Sequence, residues 1–257
     1  MGHAGTLDPF ATGLLLVLVG AATRLSQILT GLPKRYAGTI RLGLTTDTDD
    51  ATGAPRAASG AWRDVTDADI GGAMRQLSGT RQQVPPAFSA KHVEGERAHR
   101  RARRGEALTL QPVAVQIQRF TLLERLDQDV RFEADVSSGT YIRSLARELG
   151  EHLGCGAHLT ALRRLTIGSF DVADAVPLGA TPDAVRAGLR PPREAVRHLP
   201  AIAIGQAARD AVRHGRAVPT DRSATGRVAL VDADDGALLA VADASDGQAQ
   251  PRVVLVT

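Results

Sequence analysis

The segment Gly2-His3-Ala4-Gly5-Thr6-Leu7-Asp8-Pro9-Phe10-Ala11-Thr12-Gly13 constrains this chain more than any other. Glycine permits backbone angles that other residues avoid and proline fixes one, so this stretch must turn. It carries one carboxylate, Asp8, just before the apolar run Leu14 to Val19, which is expected to be a buried strand. A loop at the mouth of such a strand can hold a reactive group, although structural turns use the same residues.

Beyond the loop, Leu25, Ile28 and Leu29 recur at helical spacing, and Tyr36 to Leu44 alternates as a strand does. The Asp47-Thr48-Asp49-Asp50-Ala51-Thr52-Gly53 segment reads as a turn-rich loop. Its three carboxylates lack the alternating ligands and distant Glu of a calcium loop, so no metal site is expected. Thr66 with Asp69 forms a capping-box start, Ile70, Met74 and Leu77 line one face, and Gly79 supplies a stop. The pattern predicts a helix over 67–78. Two alternating runs, Val113-Val115-Ile117 and Val130-Phe132-Ala134-Val136, predict sheet strands. Ser137 to Thr140 then leads into a helix burying Ile142, Leu145, Ala146, Leu149 and Leu153, with Arg143 in its first turn. Residues 177–198, with four prolines, read as an irregular connection. After Leu199 come one short helix and strands at 227–231, 237–241 and 253–256, separated by the hairpin signals Asp234-Asp235-Gly236 and Asp246-Gly247. The boundary therefore divides 1–198 from a small β module at 199–257.

Composition sets the class. A chain of 257 residues can bury roughly 70–75% of its unfolded surface without staples. The single Cys155 cannot form an internal disulfide, and no apolar run is long enough to span a membrane, which reads as a cytoplasmic protein. The net charge of +3 is uneven: residues 199–257 hold six Arg against seven Asp, so residues 1–198 carry +4. The densest basic stretch, Lys91 to Glu106, suits a polyanionic partner or a solvated helix face. With 29 Arg and two Lys, the arginine excess by itself argues little.

The Asp8 loop closely resembles the signature of TruB-type pseudouridine synthases, and four more segments follow in that family's order. They are Lys34-Arg35-Tyr36 with Leu42-Gly43 and Thr46-Asp47-Thr48-Asp49; Val84-Pro85-Pro86-Ala87-Phe88-Ser89-Ala90-Lys91 with Gly95 and Ala102-Arg103; Ser138-Gly139-Thr140-Tyr141-Ile142-Arg143-Ser144-Leu145-Ala146; and Leu162-Arg163-Arg164-Leu165. The resemblance implies an α+β catalytic domain with a mixed, largely antiparallel sheet flanked by helices, ending in a PUA-like RNA-binding module. It implies cofactor-free isomerisation of uridine to pseudouridine at position 55 in the T loop of tRNA, by an enzyme without an obligatory protein partner, expected to be a monomer.

By the same resemblance Asp8 matches the catalytic Asp and Arg143 the Arg that pairs with it. Tyr36 matches the ring that stacks on the target base and is a candidate to remove the carbon-5 proton, while Tyr141 borders the same pocket. A phenol with a pKa near 10 needs help to act at neutral pH. These are the chain's two tyrosines, and both fall in the motifs. His3 matches a His near the flipped nucleotide. Thr6, Lys34, Arg35, Lys91 and Leu165 complete the expected RNA-binding set, with the basic side chains giving position rather than base identity. The sequence departs from the family in two places. Ala98-His99 stands where an Ala-Tyr pair is usual, and the family's segment before the catalytic loop, with a Lys-Pro-x-Gly-x-Thr-Ser motif, is not represented. The expectation is that Met1 is an internal start. A shortened chain with a loosened Asp8 would be a non-catalytic tRNA-binding or tRNA-folding protein instead.

Overall fold

A computed structural model describes residues 1–86, 92–93, 96–97 and 110–256. The chain divides into two compact units, Met1–Thr6 with Leu15–Thr30 and Ala175–Thr257, and Leu7–Leu14 with Gly31–Asp174.

The second unit is built on a seven-stranded sheet. Its main path runs Phe170–Asp171, Ala157–Ile167, Lys34–Leu42, Asp129–Val136, Val113–Leu126, Gly79–Gln83, with Thr12–Gly13 set beside Ala157–Ile167. Every pairing is antiparallel except that of Thr12 and Gly13 with Arg163 and Arg164, so the sheet is mixed and largely antiparallel as expected. Alternation decides its faces. Val130, Phe132, Ala134 and Val136 are buried, as are Ile40 and Leu42 on the neighbouring strand. The helices Asp67–Leu77 and Ile142–His152 cover that face with Ile70, Met74, Leu77, Leu145 and Leu149. Phe120 meets Phe132 edge to face with ring centroids 5.5 Å apart. The intervening residues carry ion pairs, among them Arg41–Asp129 and Arg119–Asp135.

The helix predicted over 67–78 spans Asp67–Leu77, and Thr66 and Asp69 form the capping box. Two boundaries moved. The strand expected over 36–44 is Lys34–Leu42 and breaks at Gly43, whose φ is +84° and whose Cβ would lie 2.3 Å from the Trp62 ring. The apolar run Leu14–Val19 is not one buried strand. Only Val17–Leu18 pairs, with Gly2–His3, and only Leu14 and Leu18 are buried. The reason is that Leu14 ends the short parallel pairing with Arg163 and Arg164: its amide donates to the Arg164 carbonyl at 2.9 Å, but its carbonyl turns to the Arg164 side chain and accepts from Nε at 2.8 Å.

In the first unit a five-stranded sheet runs Ala201–Ile204, Gly226–Asp232, Leu238–Ser245, Gln248–Val254, Val218–Pro219, with the helix Gln206–Arg213 packed on it through Val212. The hairpin between Ser245 and Gln248 turns on Asp246 and Gly247, both at positive φ, as an Asp-Gly signal requires. The last strand therefore starts earlier than the 253–256 run suggested. Residues expected to be irregular contain two short helices, Pro182–Ala187 and Pro192–Ala195. Among the described residues no helix is long and apolar enough to cross a membrane.

Candidate active site

Asp8 sits at the first position of a turn in which Pro9 supplies the fixed φ and the Ala11 amide donates to the Asp8 carbonyl at 2.9 Å. The chain then enters its short pairing with Arg163 and Arg164. Gly13, at φ +99°, lies so close that a Cβ would fall 2.2 Å from the Arg164 carbonyl oxygen, which only glycine allows. The turn is thereby sewn to the sheet.

Arg143, the second residue of the helix Ile142–His152, reaches this turn. Its Nε donates to Asp8 Oδ2 at 3.1 Å and its Nη2 to Asp8 Oδ1 at 2.8 Å, a two-pronged pair. The Arg143 side chain is 7% exposed, whereas Asp8 is 29% exposed, so the carboxylate is gripped from below and open above. A charge this deep needs full pairing. Nη1 supplies it, donating to the Thr48 carbonyl at 3.1 Å and lying 3.5 Å from Asp50 Oδ2.

Asp50 is, with Gln83, one of two site residues that sequence reasoning missed. Its carboxylate is buried, and Oδ1 accepts from Thr48 Oγ1 at 2.8 Å, from the Thr52 amide at 2.9 Å and from Thr52 Oγ1 at 2.5 Å. The acidic loop Asp47–Gly53 therefore forms the socket of Arg143. Asp50 was present only as one of several loop carboxylates. The usable signal was its threonines at two residues on either side, which favour side-chain turns. Next to it, Asp49 pairs with Arg147; burial raises the Asp49 pKa and the Arg147 charge opposes that rise.

Tyr36 stands directly opposite Arg164 in the antiparallel ladder. Burial raises its phenol pKa, Arg164 opposes the rise by charge and hydrogen bond, and the Asp8 charge adds to it. The net shift is upward, so the resting phenol is protonated at neutral pH. Lys34, two residues earlier on the same face, is buried, and Nζ donates to the Leu32 carbonyl at 2.6 Å. Burial, then the Arg164 charge, lowers its pKa to about 8. Arg35 points to the opposite face and pairs with Asp135 at 2.6 Å.

Tyr141 is the N-cap residue of the Arg143 helix. Buried Gln83 holds its peptide from both sides, accepting from the Tyr141 amide at 2.8 Å and donating to its carbonyl at 3.2 Å. Leu165 occupies the bulge between the Arg164 and Thr166 pairings and is half-buried. The second unit thus brings together Asp8, Arg143, Tyr36 and Lys34, with Asp50, Gln83 and Arg164 added. His3 and Thr6 belong to the first unit. Lys91 and His99 lie outside the described residues.

The fold matches that of pseudouridine synthases. A chain from the crystal structure of a Cbf5–Nop10–Gar1 complex superposes with a TM-score of 0.74 at 26% identity, covering 99% of this chain and 76% of that one. A chain from an H/ACA RNP bound to a substrate RNA containing 2′-deoxyuridine gives 0.73 at 24% identity, covering 100% and 76%, and bears on the fold alone. Sequence narrows this class. Residues 1–142 match the N-terminal domain of the TruB family of pseudouridylate synthases, and residues 143–194 match the tRNA pseudouridylate synthase B C-terminal domain. Proteins named tRNA pseudouridine synthase B are 42% identical over 260 residues in Mycobacterium sp. strain KMS, covering 100% of this chain and 86% of the relative. In Thermobifida fusca strain YX the identity is 44% over 266 residues, covering 99% and 88%. The chain belongs to the TruB family, and as a pseudouridine synthase it is an isomerase.

Proposed function

We propose that this chain converts uridine to pseudouridine at position 55 in the T loop of tRNA, with Asp8 as the catalytic carboxylate. The observation that carries the reading is the two-pronged Arg143–Asp8 pair, which leaves the carboxylate exposed on its outer side. Isomerisation breaks the bond from N1 to ribose C1′, turns the base, and forms the bond from C5 to C1′. The C5 proton leaves and N1 gains one, so no oxidant, reductant or cofactor is consumed.

Asp8 acts at C1′, where a carboxylate assists departure of the base, and Arg143 fixes its orientation without neutralising it by protonation. Tyr36 stacks on the turned base and takes the C5 proton. Reaching a uridine in a folded arm costs a few kcal/mol of unstacking, which His3 and Tyr141 help to offset by contacts with the extruded nucleotide. Thr6, Leu165, Lys34 and Lys91 are assigned to the nucleotide, and Arg35, on the opposite face of the sheet, to the RNA backbone away from it. The 199–257 module adds PUA-like contacts to RNA, and the enzyme works as a cytoplasmic monomer without a guide RNA. Identity of 42–44% to chains named for tRNA, against 24–26% to the Cbf5-type chains, supports the tRNA substrate. The closed Asp8–Arg143 pair supports catalysis over the binding-only alternative.

The test is to incubate unmodified tRNA transcripts with the chain and map pseudouridine by carbodiimide adducts and primer extension. One new stop at position 55 is expected, lost when that uridine is replaced by cytidine. A stop elsewhere, or none with RNA still bound, would overturn the assignment.

A further inference from the structure

Arg164 is the largest fully buried side chain among the described residues, at 1% exposure. A guanidinium placed so deep must repay its desolvation through pairing. Its Nε is committed to the Leu14 carbonyl at 2.8 Å, one residue past Gly13 on the strand that leads out of the Asp8 turn. Its own carbonyl receives the Leu14 amide, so the side chain and backbone of one residue hold this strand. Arg164 also stands directly opposite Tyr36 in the antiparallel register, where its charge acts on the phenol. One buried arginine thus ties the strand leaving the catalytic turn to the ladder position of the tyrosine.

The geometry points to Arg164 as a positioning residue that fixes the Tyr36 hydroxyl relative to the Asp8 turn and stabilises the transient phenolate when carbon 5 is deprotonated. This rests on the reading of Tyr36 as the group that takes the C5 proton. The step balances within the site: the phenol passes its proton to N1 of the base, and the phenolate oxygen then takes the C5 proton, so the phenol is regenerated. The resting phenol needs such help. The groups facing it are Arg164 from the neighbouring strand and Asp8 from the turn, with Lys34 on its own strand. Asp8 opposes ionisation and Arg164 favours it. Lys34 near its own titration is the weaker cation, since its pKa lies at about 8. The permanent charge of an arginine suits the role.

The experiment uses the full chain and its tyrosine content. With only Tyr36 and Tyr141 present, ring-labelled tyrosine gives two signals, assigned through Tyr141→Phe, and the Tyr36 phenol can be titrated directly. Arg164→Lys keeps a cation but loses the planar fork, and Arg164→Gln loses both. Melting curves establish that each variant is folded, and T-arm RNA affinity is measured beside single-turnover isomerisation. The expected result is a rise in the Tyr36 titration of about one pH unit or more, with turnover down about tenfold for Arg164→Lys and about 100-fold for Arg164→Gln, and RNA affinity unchanged. A Tyr36 titration that stays in place in either folded variant overturns the inference, as does a native rate in Arg164→Lys. Tyr36→Phe separates the two levels. If it isomerises at the native rate, the proton-acceptor reading of Tyr36 fails. If it loses turnover while the Arg164 variants do not, only the role of Arg164 fails.

Discussion

The two units differ in how much charge they bury, since in the first only Asp232, paired with Arg209, is buried among the described charged side chains. Around Asp8 the second unit buries Arg143, Asp50, Arg164 and Lys34, all under 9% exposed. In the first unit the pairs Arg186–Asp183, Arg216–Asp210 and the Arg227–Asp243–Arg252 cluster stand in solvent, with side chains 41–91% exposed. Exposed pairs are worth about 0–1 kcal/mol and are weakened further by salt. Buried charges cost several kcal/mol each before pairing, and apolar residues would usually fill the same volume at lower cost. A fold that keeps four of them beside one turn retains them for something other than stability.

Arg143 should give the largest departure between the units. Replacing it by Met leaves Asp50 buried beside an apolar chain, which costs about 3–5 kcal/mol of stability. Arg143→Lys keeps a charge but loses the two-pronged geometry, and isomerisation should fall at least 100-fold with RNA affinity retained, as read from single-turnover rates and filter binding. Asp50→Asn acts one contact further out. It weakens the hold on Nη1 without touching Asp8, and the rate is expected to fall about 10- to 100-fold. An unchanged rate in that variant would mean that the Thr48 carbonyl alone holds Arg143.

These residues also show how far the sequence could be read. The faces of the sheet followed from alternation, since Val130, Phe132, Ala134 and Val136 all point into the core. The capped helix at Asp67 and the Asp-Gly hairpin followed from local side-chain and backbone preferences. The apolar run Leu14–Val19 misled because apolar character does not say which backbone groups will find a ladder, and Leu14 spends its amide and carbonyl on Arg164. Within the site, Asp8, Tyr36 and Arg143 were legible through family motifs. Asp50 and Gln83 were not, because their roles arise from contacts across 93 residues in the one case and 58 in the other.

Lys34 offers a subtler contrast. Its pKa lies at about 8 in the folded chain against 10.5 in the open. Between those values the unfolded chain binds more protons, so this group's contribution to stability rises with pH. The melting temperature of the native chain should therefore gain on that of Lys34→Met as pH rises from about 8 to 10.5, and lie furthest behind it below pH 8. A difference flat across that window would show that Lys34 is not desolvated. Asp243→Asn in the tail should do least, changing stability by less than about 0.5 kcal/mol in denaturant melts, because Arg227 and Arg252 remain solvated.

The most direct test of the central claim, that the gripped carboxylate performs the chemistry, is tritium release from a T-arm stem-loop labelled at carbon 5 of its target uridine. The native chain is predicted to release tritium, and Asp8→Asn to bind the same RNA with the same affinity and release none. Release by Asp8→Asn at a rate near native would contradict the account and move the chemistry to another residue.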